Sequence, residues 1–323
     1  MSLLFAACLA LTADPKSGEG EQPKPLFEDG DLIVMLGGTL VERAQEYGHW
    51  EAAIQLAHPE KTLRFRNFGW SGDTVWAESR GQFDPPEAGY KRMIEQVTAL
   101  KPDVIILGYG NAEAFNGPNG LEAFAEQYQK LIEDLPKAQL VFLVPSKPFP
   151  RGKQHLEDYA RSVDLYSSKI KQLSAENDGV FIAPWGPPDL KDAASFESNG
   201  LHLTDSGYRK SAEMFETAAR HFGRSKQTEP FFYNVSRSAD AEPLYAAIRR
   251  KNRLVFDRWR PQNVTYLFGF RKHEQGQNAA EIPQFDPLID AADAEIDRIK
   301  RELAGTSKGS AESSKDSKEG EQP

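Results

Sequence analysis

The chain has only one cysteine, Cys8, among its 323 residues. A single cysteine excludes a disulfide within the chain and excludes a metal site built on cysteines. Positive charge is also in the minority, because 39 Lys and Arg residues stand against 48 Asp and Glu residues, for a net charge of −9. This acidic balance argues against a general nucleic-acid-binding protein. The histidines have no metal-ligand spacing and no phosphate-binding loop is found, so we predict no metal and no cofactor.

The chain also lacks a long apolar run. Residues 1–13 are apolar and end in small residues, like the hydrophobic region and cleavage site of a secretory signal, although no basic residues precede them. This run is too short to span a bilayer, so we predict no integral membrane segment. We predict export to the periplasm or the extracellular space, with a disordered start as the alternative. Cys8 gives only a weak match to a lipoprotein motif.

Composition divides the rest of the chain. Residues 14–25 are rich in Pro, Gly, Glu and Lys and are predicted to form a linker. Residues 26–223 are predicted to form the main domain, and residues 224–304 an arm and a helix packed on it. Residues 305–323 have almost no apolar side chains, which predicts a disordered tail.

Short apolar runs alternate with amphipathic stretches inside the main domain. This alternation predicts an α/β fold, a three-layer α/β/α sandwich around a five-stranded parallel, flavodoxin-like sheet with a C-terminal helical or irregular extension. Several of the apolar runs are nearly continuous, as expected for strands covered on both faces. The predicted strands are 32–36, 63–68, 104–107, 140–144 and 180–182, and the predicted helices are near 40–57, 86–99, 119–134, 154–175 and 204–222.

The extension contains a basic and aromatic segment, residues 247–273. Eight Lys and Arg side chains stand there against one aspartate, Asp257, and are interleaved with aromatic side chains. Two interpretations remain open: the positive charges pair with the acidic main domain, or they recognise an anionic ligand. A final helix is predicted to begin at Asp286-Pro287.

Polar, glycine-rich segments follow the predicted strands. Gly37-Gly38-Thr39 follows the first strand, Asn67–Thr74 the second, Gly108–Glu113 the third and Pro145–Pro150 the fourth. Asn199-Gly-Leu-His202 precedes the last helix of the main domain. Loops at the carboxyl ends of parallel strands converge at one edge of the sheet. A glycine-rich turn supplies backbone N–H donors for a developing oxyanion, and a histidine supplies a general base, so the pattern suggests acyl transfer.

These segments resemble the SGNH (GDSL-type) hydrolase family over roughly residues 30–222. The strongest match is Asn67-Phe-Gly-Trp-Ser-Gly-Asp-Thr74, similar to the second block of that family, and the second match is His202 with Leu203–Tyr208 after it. The resemblance implies an ester hydrolase, such as an esterase that removes acyl groups from carbohydrates. It also implies Gly72 as a backbone oxyanion donor and His202 as the base.

The other blocks depart from the family pattern. Thr39 stands where the family has its serine nucleophile, and Gly38 replaces the neighbouring aspartate. Asn199 stands in place of the acid that supports the histidine, and Asn111 lies one position before the expected asparagine. We therefore predict Thr39, His202 and Asn199 as catalytic residues, and Gly72, Thr39 and Asn111 as oxyanion donors. The candidate substrate-binding residues are Gly38, Trp70, Ser71, Asp73, Glu113, Arg271 and His273.

Three functions remain open from the sequence. The first is an acyl hydrolase acting on a small-molecule or glycan ester. The second is a catalytically impaired relative that binds a glycan or a protein. The third is a hydrolase in which His202 or Glu113 activates water directly.

Overall fold

The structure is a computed structural model that describes residues 25–150, 152–183, 192–212 and 241–319. The predicted signal at 1–13 lies outside these residues, as does the end of the helix predicted at 204–222. The domain boundaries inferred from composition remain predictions. None of the described helices combines the length and the apolar character needed to cross a bilayer.

A five-stranded parallel sheet forms the centre of the main domain, as predicted. The strands are β1 Leu32–Gly37, β2 Arg64–Asn67, β3 Val104–Gly108, β4 Gln139–Leu143 and β5 Val180–Ile182. Their order in the sheet is β2-β1-β3-β4-β5. Every residue of β1 and β3 is buried, which explains why these strands are continuous apolar runs in the sequence.

Helices cover both faces of the sheet and complete the three-layer α/β/α sandwich. The helices are α1 Thr39–Tyr47, α2 His49–Ala57, α3 Pro86–Leu100, α4 Leu121–Asp134, α5 Gln154–Glu176 and α6 at residues 205–212. One face of the sheet packs against α1, α2 and α6, and the other packs against α3, α4 and α5.

One predicted helix is divided in the structure. The sequence predicts a single helix near 40–57, but α1 ends at Gly48, which has a φ of 75°. This left-handed conformation suits glycine and ends a helix. A Cβ at Gly48 would lie 2.9 Å from the side chain of Ile248, so the extension packs directly against this break.

The extension packs on the main domain through a third apolar cluster. Its helices are α7 Glu242–Trp259, α8 Val264–Leu267, α9 Lys272–Gln275 and α10 Phe285–Glu319. Leu56 of α2 joins Ile248 of α7 and Ile296 of α10 in this cluster. Helix α10 continues into residues 305–319, which composition predicts to be disordered. No proline stands between Pro287 and the end of α10 at Glu319, so nothing in this stretch removes a helical backbone donor.

Buried ion pairs accompany this packing. Lys251 is fully buried, and its ammonium donates to Glu51 of α2 at 2.7 Å and to the carbonyl of Phe65 at 3.0 Å. Arg66 of β2 likewise donates to Asp293 of α10 at 2.7 Å. In the Lys251 pair a positive charge of the extension meets the acidic main domain, as one of the two sequence interpretations proposed, whereas the Arg66 pair has the opposite polarity. Other basic residues of the segment pair within the extension, with Glu242, Asp257, Glu274, Asp286 and Glu295.

Candidate active site

A cavity of about 230 Å³ lies beyond the carboxyl ends of β1 and β3. We call it the Thr39 cavity. All five predicted loops meet there, because the cavity is lined by Thr39, Gly72, Asn111, Ser146 and His202. Segments separated by more than 100 residues in the chain thus form one site. Its wall also includes the apolar faces of Tyr109, Phe115 and Leu201.

Thr39 is the first residue of α1, directly after the turn that follows β1. Its hydroxyl oxygen accepts a hydrogen bond from the backbone N–H of Gly72 at 2.8 Å. A donor at that distance from the hydroxyl also lies close to the place where the oxygen of an attacked carbonyl would develop charge. The structure therefore places the predicted nucleophile beside the predicted oxyanion donor.

Gly38 is required by the close approach of the neighbouring loop. A Cβ at this position would lie 2.8 Å from the carbonyl oxygen of Asp73, which is closer than side chains tolerate. The aspartate that the resemblance leads one to expect at this position has no room. Gly38 lines the Thr39 cavity but offers only backbone groups to a substrate.

His202 is held by a short antiparallel contact. Its carbonyl accepts a hydrogen bond from the N–H of Glu197 at 2.8 Å, and the next residue, Leu203, pairs with Phe196. Burial lowers the pKa of the imidazole below its ordinary value. The positive charge of Arg43 lowers this pKa further, and the negative charge of Glu197 opposes it. The ring is consequently in its neutral form, which is the form that accepts a proton, over a wider pH range.

Asn199 does not occupy the position predicted for it. Its side-chain oxygen accepts hydrogen bonds from the N–H of Leu201 at 2.9 Å and of His202 at 3.2 Å. This Asx turn shapes the loop backbone, so the oxygen is engaged there and not on the His202 ring. Asn199 also does not line the Thr39 cavity. We correct its predicted role from a catalytic residue to one that shapes the loop.

Asn111 lines the cavity, but its amide is engaged elsewhere. Its nitrogen donates to the carbonyl of Ser146 at 2.9 Å and to the hydroxyl of Tyr159 at 3.2 Å. Its oxygen accepts from the N–H of Ser146 at 3.3 Å. These contacts take up the amide and argue against the oxyanion role predicted for it. The hydroxyl of Tyr159 in turn donates to the carbonyl of Asn111 at 2.7 Å.

Glu113 is a buried structural carboxylate. Its two oxygens accept from the N–H of Val75 at 2.9 Å and of Gly110 at 2.8 Å, so it joins the loop after β2 to the loop after β3. Burial raises its pKa to about 7. Because both oxygens are already bonded to the backbone, Glu113 is poorly placed to bind a substrate or to activate water.

Asp73 is also buried and lines the cavity. Arg80 donates to its carboxylate at 2.6 Å and to the carbonyl of Phe68 at 2.7 Å, which fixes the glycine-rich turn. Burial raises the pKa of Asp73, and the charge of Arg80 opposes this. Asp73 therefore supports the turn that presents Gly72.

Four predicted substrate-binding residues do not line the Thr39 cavity. The hydroxyl of Ser71 donates to Glu42, and Trp70 lines a different cavity. Arg271 forms an ion pair with Glu274, and His273 is exposed on the same short segment. The basic charge of that segment predicts that its side chains contact the Thr39 cavity, but α8 and α9 do not bring Arg271 or His273 to its lining.

Sequence reasoning missed three polar side chains near the site. Ser146 lies in the predicted Pro-rich loop, whose position after β4 was the available signal. Tyr159 lies within α5, and no local pattern distinguishes it from a core aromatic residue. Arg43 lies within α1 and acts on His202 through its charge. Within the described ranges, no group of three or more His, Cys, Asp or Glu side chains is arranged to hold a metal ion.

Comparison with known proteins identifies the family of this chain. The GDSL-like lipase/acylhydrolase family matches residues 30–210. A search of curated protein sequences finds no match. Among solved structures, a gut microbial diltiazem-metabolizing enzyme is 12% identical with a TM-score of 0.57, covering 87% of this chain and 98% of its own.

Two esterase structures are also similar. An acetyl xylan esterase variant from Geobacillus stearothermophilus is 17% identical with a TM-score of 0.47, covering 62% of this chain and 100% of its own. An aryl esterase from M. smegmatis is 12% identical with a TM-score of 0.45, covering 60% of this chain and 100% of its own. The family match spans more than half of the chain, and with it the loops that line the Thr39 cavity: this protein belongs to the GDSL-like lipase/acylhydrolase family.

Proposed function

We propose that this protein is an acyl hydrolase that cleaves an ester, with Thr39 as nucleophile and His202 as general base. The observation that carries the proposal is the hydrogen bond of 2.8 Å from the N–H of Gly72 to the hydroxyl of Thr39, in a cavity that His202 also lines. It joins a nucleophile and an oxyanion donor at one point, as acyl transfer requires.

In the first half of the reaction, the Thr39 oxygen attacks the ester carbonyl carbon while His202 takes the hydroxyl proton. The N–H groups of Gly72 and Thr39 stabilise the negative oxygen of the tetrahedral intermediate. The bond to the alcohol oxygen then breaks, and His202 gives its proton to that oxygen. In the second half, His202 takes a proton from water, whose oxygen attacks the acyl carbon. The bond from that carbon to the Thr39 oxygen then breaks, the free acid leaves, and His202 returns the proton to Thr39.

Two features of the site make such a reaction slow. The oxygen of Asn199 is engaged in its own turn, so a charged His202 gains no stabilisation from it. The β-methyl group of Thr39 restricts its χ1 rotamers and crowds the attack. We therefore propose a slow esterase rather than a fast one.

The size of the cavity favours a small acyl group. A volume of about 230 Å³ lies below the usual range of ligand cavities, and its wall combines Tyr109, Phe115 and Leu201. An acetyl or similar short acyl group suits this space. We also propose that the alcohol part of the ester is a carbohydrate and that the protein is exported. Both points are supported by the sequence alone.

The experiment that tests this function compares aryl acetate, butyrate and octanoate esters. We expect measurable hydrolysis that is highest for the shortest acyl chain, together with a mass increase of one acyl group on the peptide that contains Thr39. Absence of hydrolysis across the aryl esters and acetylated glycans would contradict the proposal and favour the ligand-binding alternative. Hydrolysis without an acylated peptide would favour direct activation of water by His202.

The pH dependence of hydrolysis gives a test of the His202 role. The acid limb of kcat/KM reports the pKa of the free base. We expect this limb to lie below the ordinary histidine pKa, because burial and the charge of Arg43 lower the pKa of His202. Arg43→Gln should move the limb to higher pH, whereas Glu197→Gln should move it to lower pH.

The two variants control for each other, because Arg43 and Glu197 form an ion pair at 3.1 Å and each change breaks that pair. A general loss of loop structure would affect both profiles in the same direction. Shifts in opposite directions support His202 as the base, and profiles that do not move would contradict it. Thermal unfolding of both variants checks that the loop stays folded.

A further inference from the structure

A second cavity, of about 290 Å³, lies between the main domain and the extension. We call it the Trp70 cavity. Helix α3 and the turn after β2 form one wall, and the end of α7 with the segment after it forms the other. Its lining residues are Trp70, Arg80, Gln82, Gly89, Arg92, Met93, Gln96, Arg258, Trp259, Arg260, Pro261, Val264 and Phe268.

The lining has an unusual charge for an acidic protein. It contains four arginines and no aspartate or glutamate. Every one of these arginines has a carboxylate partner, but the partners Glu42, Asp73, Asp84 and Asp286 do not line the cavity. The arginines therefore line the cavity, whereas their carboxylate partners do not.

Arg260 is the best placed of the four for a ligand. Its guanidinium carbon lies 3.5 Å from the centre of the Trp70 ring, and Arg80 lies 5.4 Å from the same ring. Among the described residues its side chain donates only from Nη1, to Glu42 at 3.2 Å, which leaves Nη2 and Nε for other acceptors. Burial lowers the pKa of Arg260, Glu42 opposes this, and the charge of Arg80 adds to it. An anion between Arg80 and Arg260 would relieve that repulsion.

The rest of the lining fits the body of a small ligand. Trp70 and Trp259 contribute aromatic surface, each with a guanidinium over one ring, and Met93, Val264 and Phe268 add apolar surface. Gln82 and Gln96 offer amide donors and acceptors. Arginine forks bind carboxylates in two-point geometry, and tryptophan faces stack on rings.

We propose that the Trp70 cavity binds a small ring compound that carries a carboxylate, with the carboxylate on Arg260 and the ring against the aromatic and apolar part of the lining. This chemistry is shared by uronic acids and by aromatic acids. The site is separate from the Thr39 cavity, so the proposal does not depend on ester hydrolysis. The two sites do share one turn, because Trp70 lines one cavity, Gly72 lines the other, and Arg80 contacts Asp73.

The test is equilibrium binding measured by calorimetry and by tryptophan fluorescence, with the full-length protein. The probes are glucuronate and benzoate, with glucose and benzyl alcohol as uncharged counterparts and acetate as a carboxylate without a ring. We expect saturable binding of at least one ring carboxylate, about tenfold or more tighter than its uncharged counterpart and than acetate. The comparison between glucuronate and benzoate tells which ring the cavity prefers.

Variants locate the binding. Arg260→Gln should weaken it about tenfold, and Arg260→Lys, which keeps the charge but loses the fork, should give an intermediate affinity. Arg271→Gln is the matched control, since Arg271 lies in the same basic extension, pairs with Glu274 and lines neither cavity. Thermal unfolding of each variant checks folding, and the lysine variant keeps the test informative if the glutamine variant unfolds.

The proposal is overturned if neither ring carboxylate saturates. It is also overturned if the uncharged counterparts or acetate bind equally well, or if Arg260→Gln and Arg260→Lys both bind with unchanged affinity.

Discussion

Thr39→Ala is expected to lower kcat/KM for a short-chain ester by about 10³-fold or more, because the change removes the attacking oxygen. The backbone N–H of Gly72 then loses its acceptor, but the loop keeps its other contacts, including that of Asp73 with Arg80. Steady-state kinetics on an aryl acetate measure the effect. Thr98→Ala is the matched control, because Thr98 is exposed on α3 and lines neither cavity.

Thr39→Ser should act in the opposite direction. Removing the methyl group frees χ1 while keeping the hydroxyl, and an unfavourable rotamer costs about 0.5–1.5 kcal/mol, so a rise of up to about tenfold in kcat is expected. Wild-type rates in Thr39→Ala would mean that the nucleophile is elsewhere or that water attacks directly.

Lys251→Met is expected to reduce the free energy of unfolding by about 3–5 kcal/mol. Lys251 is fully buried and donates to Glu51 at 2.7 Å, so the change leaves a carboxylate buried without its partner. Burial raises the pKa of Glu51 and Lys251 opposes this, so removing Lys251 raises the pKa further. The loss of unfolding free energy in Lys251→Met should be small below the ordinary glutamate pKa, where Glu51 is neutral. It should grow as the pH rises through the raised pKa of Glu51.

Urea unfolding at several pH values measures this effect. The double variant Lys251→Met/Glu51→Leu should recover most of the stability, because an apolar pair of similar volume replaces a buried ion pair at little cost. Arg250→Met is the control, since Arg250 is the preceding residue of α7 and forms an exposed pair with Glu295 at 2.9 Å, worth about 0–1 kcal/mol. Equal losses for Lys251→Met and Arg250→Met would show that burial of the pair does not matter.

Much of the main domain could be predicted because its signals are local. Strands β1, β3 and β4 are nearly continuous apolar runs, and all five strands lie where the sequence places them, within a few residues. The loops around Thr39, Gly72 and His202 could also be brought together, because parallel strands place their carboxyl ends at one edge. The division of the helix near 40–57 was missed because Gly48 ends α1 against Ile248, a contact with a segment 200 residues away.

The orientation of polar side chains could not be predicted in the same way. The sequence shows Asn111 near an oxyanion position, but Tyr159, 48 residues later, takes one of its donors. Asn199 stands in a catalytic position by alignment, yet its oxygen is shared by two backbone N–H groups of its own loop. These hydrogen bonds depend on how the folded backbone places possible partners, near or far in the chain, and a single sequence does not give that placement.

The contact between Gly38 and the Asp73 carbonyl limits how this site can be redesigned. Restoring the ordinary Gly-Asp-Ser sequence of the family needs two substitutions. Thr39→Ser only removes a methyl group, whereas Gly38→Asp would bring a side chain into collision with the carbonyl oxygen of Asp73. The glycine-rich turn would have to retreat first, and Arg80 anchors it through Asp73 and Phe68. Natural variants that regain the aspartate should therefore also carry changes at Asp73 or Arg80.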